Sequence, residues 1–330
     1  MSPKHKAYLG VALFVAVGIS LFVGTQIYYR RKANTLPLTQ VIQTTETPAP
    51  TAASPATDTS EASPIPSVPV VAVVSNFSAA TTRNADLMNN LDWSFGGKSQ
   101  RGWYLYAPLI EREIGTEKNP DDEAFSVALA AWQLSAKLNP DGVLDAVTWP
   151  QMFGAWQARR LKDHTPAAPD QLMTAPTTDF YDPSRPDALR KVEPQTYAAY
   201  KRMIKAAAID PSLHLATTGG GDKLALASSE KFLKIVSAFR SREYQDGLRK
   251  ASPNSGRAGL AVNSPHFTGR AIDFYLGGDP VSTDDANRLT QTNTPVYRWL
   301  VKNADKFGFR PYFYEPWHWE YVGEPAIETR

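Results

Sequence analysis

One run of sequence limits what the remainder can fold into. From Ala7 to Tyr29 no residue is charged, and Leu, Val, Phe and Ile dominate. At about 1.5 Å per residue, these 23 positions span roughly 35 Å as a helix, enough to cross a hydrocarbon core of about 30 Å. The run is longer than the apolar part of a cleaved leader, and no small-x-small cleavage site follows it. It predicts an uncleaved membrane anchor over residues 1–32, with a transmembrane helix that takes no part in a soluble core. Lys4 and Lys6 precede the run, whereas Arg30, Arg31 and Lys32 follow it, so flanking charge does not favour export of the C-terminal part. Export is expected instead from the chemistry described below.

Residues 33–80 carry seven prolines, many Thr, Ser and Ala, and no Lys or Arg. Such a composition buries too little apolar surface to fold and predicts a tether, with a mean span of roughly 40 Å as a flexible coil. Within it, Val70 to Val74 is an apolar run suited to a strand. Folding is therefore expected after residue 80. The net charge of the 330 residues is only +2, which gives no electrostatic ground for a nucleic-acid partner. With no cysteine, disulfides, thiolate nucleophiles and Cys-type metal sites are excluded, and any metal must be held by His, Asp or Glu. The histidines are His5, His164, His214, His266 and His318.

Residues 81–162 predict a small all-α domain. Phe125, Ala128, Leu129 and Trp132 recur at i, i+3, i+4 and i+7, and Trp149, Met152, Phe153 and Trp156 repeat that spacing with Thr148 as N-cap. Asn139-Pro140-Asp141-Gly142 marks a turn between them. The Ala131-Trp132-Gln133 helix end, Asp141-Gly142-Val143-Leu144 and Thr148-Trp149 together resemble the peptidoglycan-binding domain family, departing from it at Asp145 and Ala146, where Gly-Pro is common. The resemblance implies three short helices and contact with the cell wall. The residues alone are equally met by a spacer domain with an aromatic core.

Residues 170–330 mix strands and helices without regular alternation, which predicts an α+β domain on an antiparallel sheet. Helices are expected over 195–208 and 241–250, and strands over 233–238, 270–275 and 312–321. Three stretches concentrate unusual residues: Ser237 to Gln245, Ser264 to Asp273, and Glu315 to Glu320. His266 and Asp273 stand seven residues apart, with Gly269 permitting a turn between them. His318 and Glu315 stand three apart. Two imidazoles and a carboxylate can hold zinc with one position open, and an unligated carboxylate nearby can serve as base. Any one of these histidines alone is as readily an ordinary core or surface residue.

In this order, the three stretches look like the VanY-type D-alanyl-D-alanine carboxypeptidases, of the zinc-peptidase fold group shared with lysostaphin-like enzymes and hedgehog domains. The family pattern SxHxxGxAxD is complete at Ser264, His266, Gly269, Ala271 and Asp273. ExWHW is complete at Glu315, Trp317, His318 and Trp319, and Arg240 is followed by a Ser-x-x-Tyr-Gln run. The likeness covers about residues 195–323; the connection from Phe309 to Glu315 is shorter than in many members. The resemblance implies that His266, Asp273 and His318 bind Zn²⁺, that Glu315 is the general base and that Arg240 stabilises the oxyanion; if Glu315 were dispensable, Glu320 would be the nearest substitute base. It implies further that Ser264 and Gln245 contact substrate, although both positions also suit turn or helix capping. Trp317 and Trp319 are expected to pack beside the metal, and His164 and His214 to lie outside the chemistry. The implied activity is a D,D-carboxypeptidase acting on peptidoglycan stem peptides from the extracytoplasmic side of the cytoplasmic membrane. A wall endopeptidase and a non-enzymatic, zinc-stabilised wall-binding protein are the alternatives.

Overall fold

The computed structural model describes residues 77–253 and 259–323. The anchor over 7–29, residues 33–76 of the tether and the strand expected over Val70–Val74 lie outside the described residues. Among those described, no helix is long and apolar enough to cross a membrane.

The chain begins with α1 (Ser78–Asn90), so helix starts inside the stretch whose composition reads as tether. Its propensity is modest, and packing holds it. Asn84, fully buried, donates to Ser126 Oγ (3.1 Å) and Gly142 O (2.8 Å) and accepts from Leu144 N (2.8 Å). Next comes a hairpin, β1 (Asp92–Phe95) and β2 (Lys98–Arg101), so this region is not all-α as its helical periodicity suggested. Phe95 pairs with Lys98, and Gly96 and Gly97 between them have φ of 60° and 83°. That is the two-residue turn whose twist matches paired strands, and both positions favour glycine.

Three helices follow: α2 (Ala107–Ile114), α3 (Glu123–Ser135) and α4 (Thr148–Ala158). Phe125, Leu129, Trp149, Met152 and Trp156 are buried as their spacing predicts. Thr148 is not the N-cap of α4. The Asp145 carboxylate accepts from Val147 N (2.9 Å) and Thr148 N (3.0 Å), while Thr148 is buried and accepts from Gln133 Nε2 (3.0 Å). A carboxylate at the positive end of the helix performs the capping role better than a buried hydroxyl.

The second half is mixed. A small antiparallel pair, β3 (Met173–Thr174) and β4 (Lys191–Val192), leads into α5 (Pro194–Ala208). Thr196, Ala199, Tyr200, Met203, Ile204 and Ala207 form its buried stripe, and the Glu193 carboxylate caps Gln195 N (3.0 Å) and Thr196 N (2.7 Å). A second small pair, β5 (Thr217–Thr218) and β6 (Ala225–Leu226), precedes β7 (Ile235–Ser237) and α6 (Arg242–Ala251). Then come β8 (Ala271–Phe274), α7 (Asp285–Thr292), α8 (Pro295–Asn303), β9 (Phe309–Pro311) and β10 (His318–Tyr321).

The main sheet is antiparallel in the order β7-β8-β10-β9. Tyr200 of α5 stacks on Phe274 (centroids 5.8 Å apart, planes at 15°), which places the helix against the back of β8. The segment 312–321 is not one strand. Two prolines, Pro311 and Pro316, bracket a tight connection that returns the chain as β10, closed by Tyr312 N to His318 O (3.0 Å). Phe313 at its tip is buried in the helical segment's aromatic cluster, stacked on Phe153 (5.3 Å, 10°) and edge-on to Phe95 (4.8 Å). The two halves thus share one core.

Candidate metal centre

Register brings the central residues into line. Ser237 on β7 and His318 on β10 both pair with Asp273 on β8, so the three stand in one row across neighbouring strands. His266 comes from a 3-10 turn, Pro265–Thr268, just before β8. Ser264 caps that turn, accepting from His266 N (3.4 Å), and Gly269 ends it at φ 70°. A Cβ on Gly269 would lie 2.6 Å from Leu172 Cδ2 and 2.9 Å from Glu193 N, so only glycine fits there.

His266, Asp273 and His318 are buried, and their donor atoms lie within 4.8 Å of one another. His266 Nε2 is 3.2 Å and His318 Nδ1 is 2.9 Å from the same oxygen, Asp273 Oδ1. The opposite ring nitrogens settle the tautomers. His266 Nδ1 lies 2.6 Å from the Ala238 carbonyl, so it carries the proton, and His318 Nε2 lies 3.1 Å from Glu320 Oε1, so it does too. With both rings neutral, as metal ligands must be, the inward nitrogens present lone pairs to a carboxylate oxygen. Three acceptors converging in a dry site demand a cation. Bonds of about 2.0–2.2 Å to a tetrahedral zinc would set donors about 3.3–3.6 Å apart, near the two separations to Asp273 Oδ1. Two nitrogens and a carboxylate oxygen, without thiolate, suit zinc.

In the metal-free chain, the electrostatics meet that demand with a proton on His318. Burial pushes His266 down to about 4, with Arg240 adding to the effect. Burial acts the same way on His318, but its hydrogen bonds to Asp273 and Glu320 outweigh it and raise the ring to about 9. Burial opposes ionisation of Asp273, yet His266 and Arg240 hold it well below the usual carboxylate range. The centre therefore attracts positive charge at the position the lone pairs face.

Arg240 lies just beyond β7. Its Nη2 pairs with Asp273 Oδ2, its Nε donates to Ser237 Oγ (2.9 Å), and Nη1 reaches Gln245 Oε1 (3.4 Å). These bonds fix the Asp273 carboxylate with its other oxygen toward the imidazoles, and leave two guanidinium N–H bonds over. Gln245, expected at the substrate, has both ends of its amide engaged: it accepts from Arg240 and donates to Ala261 O (3.0 Å). It is buried and does not line the cleft, so it steadies Arg240 instead. Ser264 does line the cleft.

Glu315 precedes the turn that starts β10 and borders two adjoining cavities of about 280 and 660 Å³, both also lined by Arg240. Its carboxylate accepts no hydrogen bond from the described residues. Burial pushes it up to about 8, against the pull of His318. Trp317 and Trp319 are buried packing residues. His214 is exposed and His164 partly buried, as expected of ordinary residues outside the motifs, although His164 also borders the cleft, with Nδ1 3.0 Å from Asn263 O and Nε2 3.1 Å from Leu161 O.

Two residues take parts that the sequence did not assign to them. Glu320 is no free base: burial opposes its ionisation, but bonds from His318 and Arg160 bring it down to about 2. Its place two residues after His318 on a strand, hence on the same face, was the available signal. Arg160 lies 160 residues away from Glu320 and had none.

Residues 223–324 match the family model VanY, D-alanyl-D-alanine carboxypeptidase. No curated protein matches significantly. Among solved structures, the LdcB LD-carboxypeptidase shares 24% identity over 50% of this chain and 73% of its own, with a TM-score of 0.35. The vancomycin-resistance D,D-pentapeptidase VanY, in complex with Zn(II), shares 20% over 51% and 89%, with a TM-score of 0.29. VanYB in complex with D-alanine-D-alanine shares 20% over 40% and 72%, with a TM-score of 0.26. By the family match, residues 223–324 form a peptidase domain of the VanY family of D-alanyl-D-alanine carboxypeptidases.

Proposed function

We propose that this chain is a zinc-dependent D,D-carboxypeptidase that removes the terminal D-alanine from peptidoglycan stem peptides. One observation carries the reading: two imidazole nitrogens and a carboxylate oxygen converge beside a buried carboxylate, Glu315, that has no hydrogen-bond partner among the described residues. A purely structural metal site has no use for that carboxylate. His266 Nε2, Asp273 Oδ1 and His318 Nδ1 would hold the ion. Zinc, when bound, polarises the scissile carbonyl and lowers the pKa of its water toward about 7.

The chain's own groups do the rest. Glu315 takes a proton from the attacking water as its oxygen bonds to the carbonyl carbon. The same carboxyl returns the proton to the amine nitrogen as the C–N bond breaks, releasing D-alanine. Arg240 holds Asp273 and turns its two remaining N–H bonds to the developing oxyanion, where a fixed charge in a water-poor cleft stabilises most. Ser264 orients His266 through the turn it caps and offers its hydroxyl to the substrate's terminal carboxylate. Gln245 keeps Arg240 in place.

Incubating the purified, zinc-loaded full chain with a defined pentapeptide stem, and identifying products by mass spectrometry, tests this. Loss of one terminal alanine is expected, and a chelator should abolish it. Cleavage inside the stem would instead favour an endopeptidase, a reading supported by the two cavities that meet at Glu315. No cleavage in the presence of bound zinc would leave only a wall-binding role. We place residues 33–330 outside the cytoplasmic membrane, held by the 7–29 segment, because the substrate lies there. Protease added to spheroplasts should digest the C-terminal domain, and its full protection beside a digested periplasmic control would contradict that placement.

A further inference from the structure

The end of α4 reaches the metal centre. Glu320 is wholly buried and shares a face of β10 with His318. Its carboxylate receives Arg160 Nε at 3.1 and 3.2 Å, Arg160 Nη2, the Leu161 backbone N–H at 3.0 Å and His318 Nε2 at 3.1 Å. All but the last come from two consecutive residues just past α4, in the helical segment. The Arg160 guanidinium lies 3.9 Å over the Tyr312 ring, and Nη1 is 3.4 Å from Gln157 Oε1. Arg160, Gln157 and Tyr312 all line the cleft.

We infer that Arg160 is a positioning residue of the metal centre: through Glu320 it holds His318 in the tautomer and orientation that turn Nδ1 toward Asp273 Oδ1. A carboxylate bonded to the far nitrogen of a metal-binding imidazole fixes its tautomer and strengthens it as a ligand. Here that carboxylate has no solvent contact, so its own orientation depends on the fork of N–H bonds that Arg160 supplies. Remove the fork and Glu320 keeps one backbone N–H and the imidazole, with nothing to stop both from turning. The helical segment is then part of the zinc site as well as a neighbour of it. This inference rests on the zinc reading of His266, Asp273 and His318. The plainer alternative is that the Arg160–Glu320 pair only fastens the two halves together.

Zinc affinity separates these possibilities, because a fastener changes stability without changing how the folded site holds metal. In the full chain, Arg160→Met and Glu320→Gln are each expected to weaken zinc binding about 10- to 100-fold in competition with a chromophoric chelator. The double variant should be no weaker than the worse single by more than a few-fold, since both act through one path. Arg160→Lys keeps the charge but loses the fork, and should fall between. In the zinc-loaded protein, the His318 Nε2–H signal in a long-range ¹⁵N spectrum should persist in wild type and be lost or exchange rapidly in Arg160→Met. Wild-type affinity and an intact Nε2–H signal in folded Arg160→Met overturn the inference. Should that variant not fold, unchanged affinity in the nearly isosteric Glu320→Gln does the same. A wild-type chain that binds no zinc overturns the zinc reading and this inference together, whereas equal binding by wild type and variants overturns this inference alone.

Discussion

The helical segment and the main sheet bury different kinds of residue, and satisfy them differently. In the helical segment the interior is aromatic: Trp103, Phe125 and Trp149 are almost wholly buried. Its buried amides are fully engaged. Gln133 Nε2 faces Asp141 Oδ1 (2.9 Å), Val143 O (3.1 Å) and Thr148 Oγ1 (3.0 Å), and its Oε1 accepts from Gly142 N (2.8 Å). The exceptions, the indole N–H groups of Trp103 and Trp149, are neutral. On the sheet, Asp273, His266, His318 and Glu320 are buried as a charged cluster, with Glu315 beside them. There the open positions are lone pairs and an unbonded carboxylate, whose desolvation costs more than that of a neutral donor. Burial that is satisfied makes a scaffold; burial left incomplete around charge is where a cation and a substrate belong.

The largest effect should come from removing a ligand. His318→Ala deletes one of three donors and strands Glu320, so bound zinc should fall from about one per chain to a background level, with peptidase activity lost alongside it. Elemental analysis checks this, and a variant that retains zinc would erase the contrast by making the cluster an ordinary polar core. Next is the joint between the two regions. Phe313→Ala opens a cavity inside the aromatic cluster and should cost about 3–5 kcal/mol of stability. Because Phe313 precedes Glu315 and His318 by a short turn, the helical segment and sheet should melt in one transition, and two separated transitions would show the regions to be independent.

A smaller effect concerns pH in the metal-free chain. Glu315 has a folded pKa of about 8, above the unfolded value of about 4.3. Between these values the folded state holds the extra proton, so this group's contribution is fully present below about 4.3 and is lost as pH rises through 8. Glu315→Gln should remove that slope, gaining on wild type by on the order of a few kcal/mol at high pH. Parallel stability curves for the two chains, measured by denaturant unfolding from pH 5 to 9, would mean that Glu315 is better solvated than its burial implies.

Much of this was written in the sequence. Helical spacing found α3 and α4, because a core of large aromatic residues imposes the 3.6 period directly. The His266, Asp273 and His318 group that could hold a metal was legible because the chain has few histidines and because the resemblance carried by the stretches Ser264 to Asp273 and Glu315 to Trp319 singled these out. The β1–β2 hairpin was missed although Gly96-Gly97 between alternating residues announces a two-residue turn. Helices α7 and α8 were missed too, and the strand expected over 312–321 runs through Pro316, which breaks it. Glu320 and Gln245 were given roles at the chemistry because residue type alone does not tell an available side chain from one already bonded. Arg160 was beyond reach, since its partner is set by how two halves of the chain pack and no local pattern encodes that.

Glu315 is the residue on which the proposed chemistry turns, and zinc content and peptidase rate measured together on Glu315→Ala test its role most directly. As general base outside the ligand set, its loss should leave about one zinc per chain and a folded protein, with the rate on a defined stem peptide reduced roughly 10²- to 10⁴-fold. A variant that carries full zinc and hydrolyses the peptide at the wild-type rate would contradict the mechanism, and one that no longer holds zinc would make Glu315 a ligand instead.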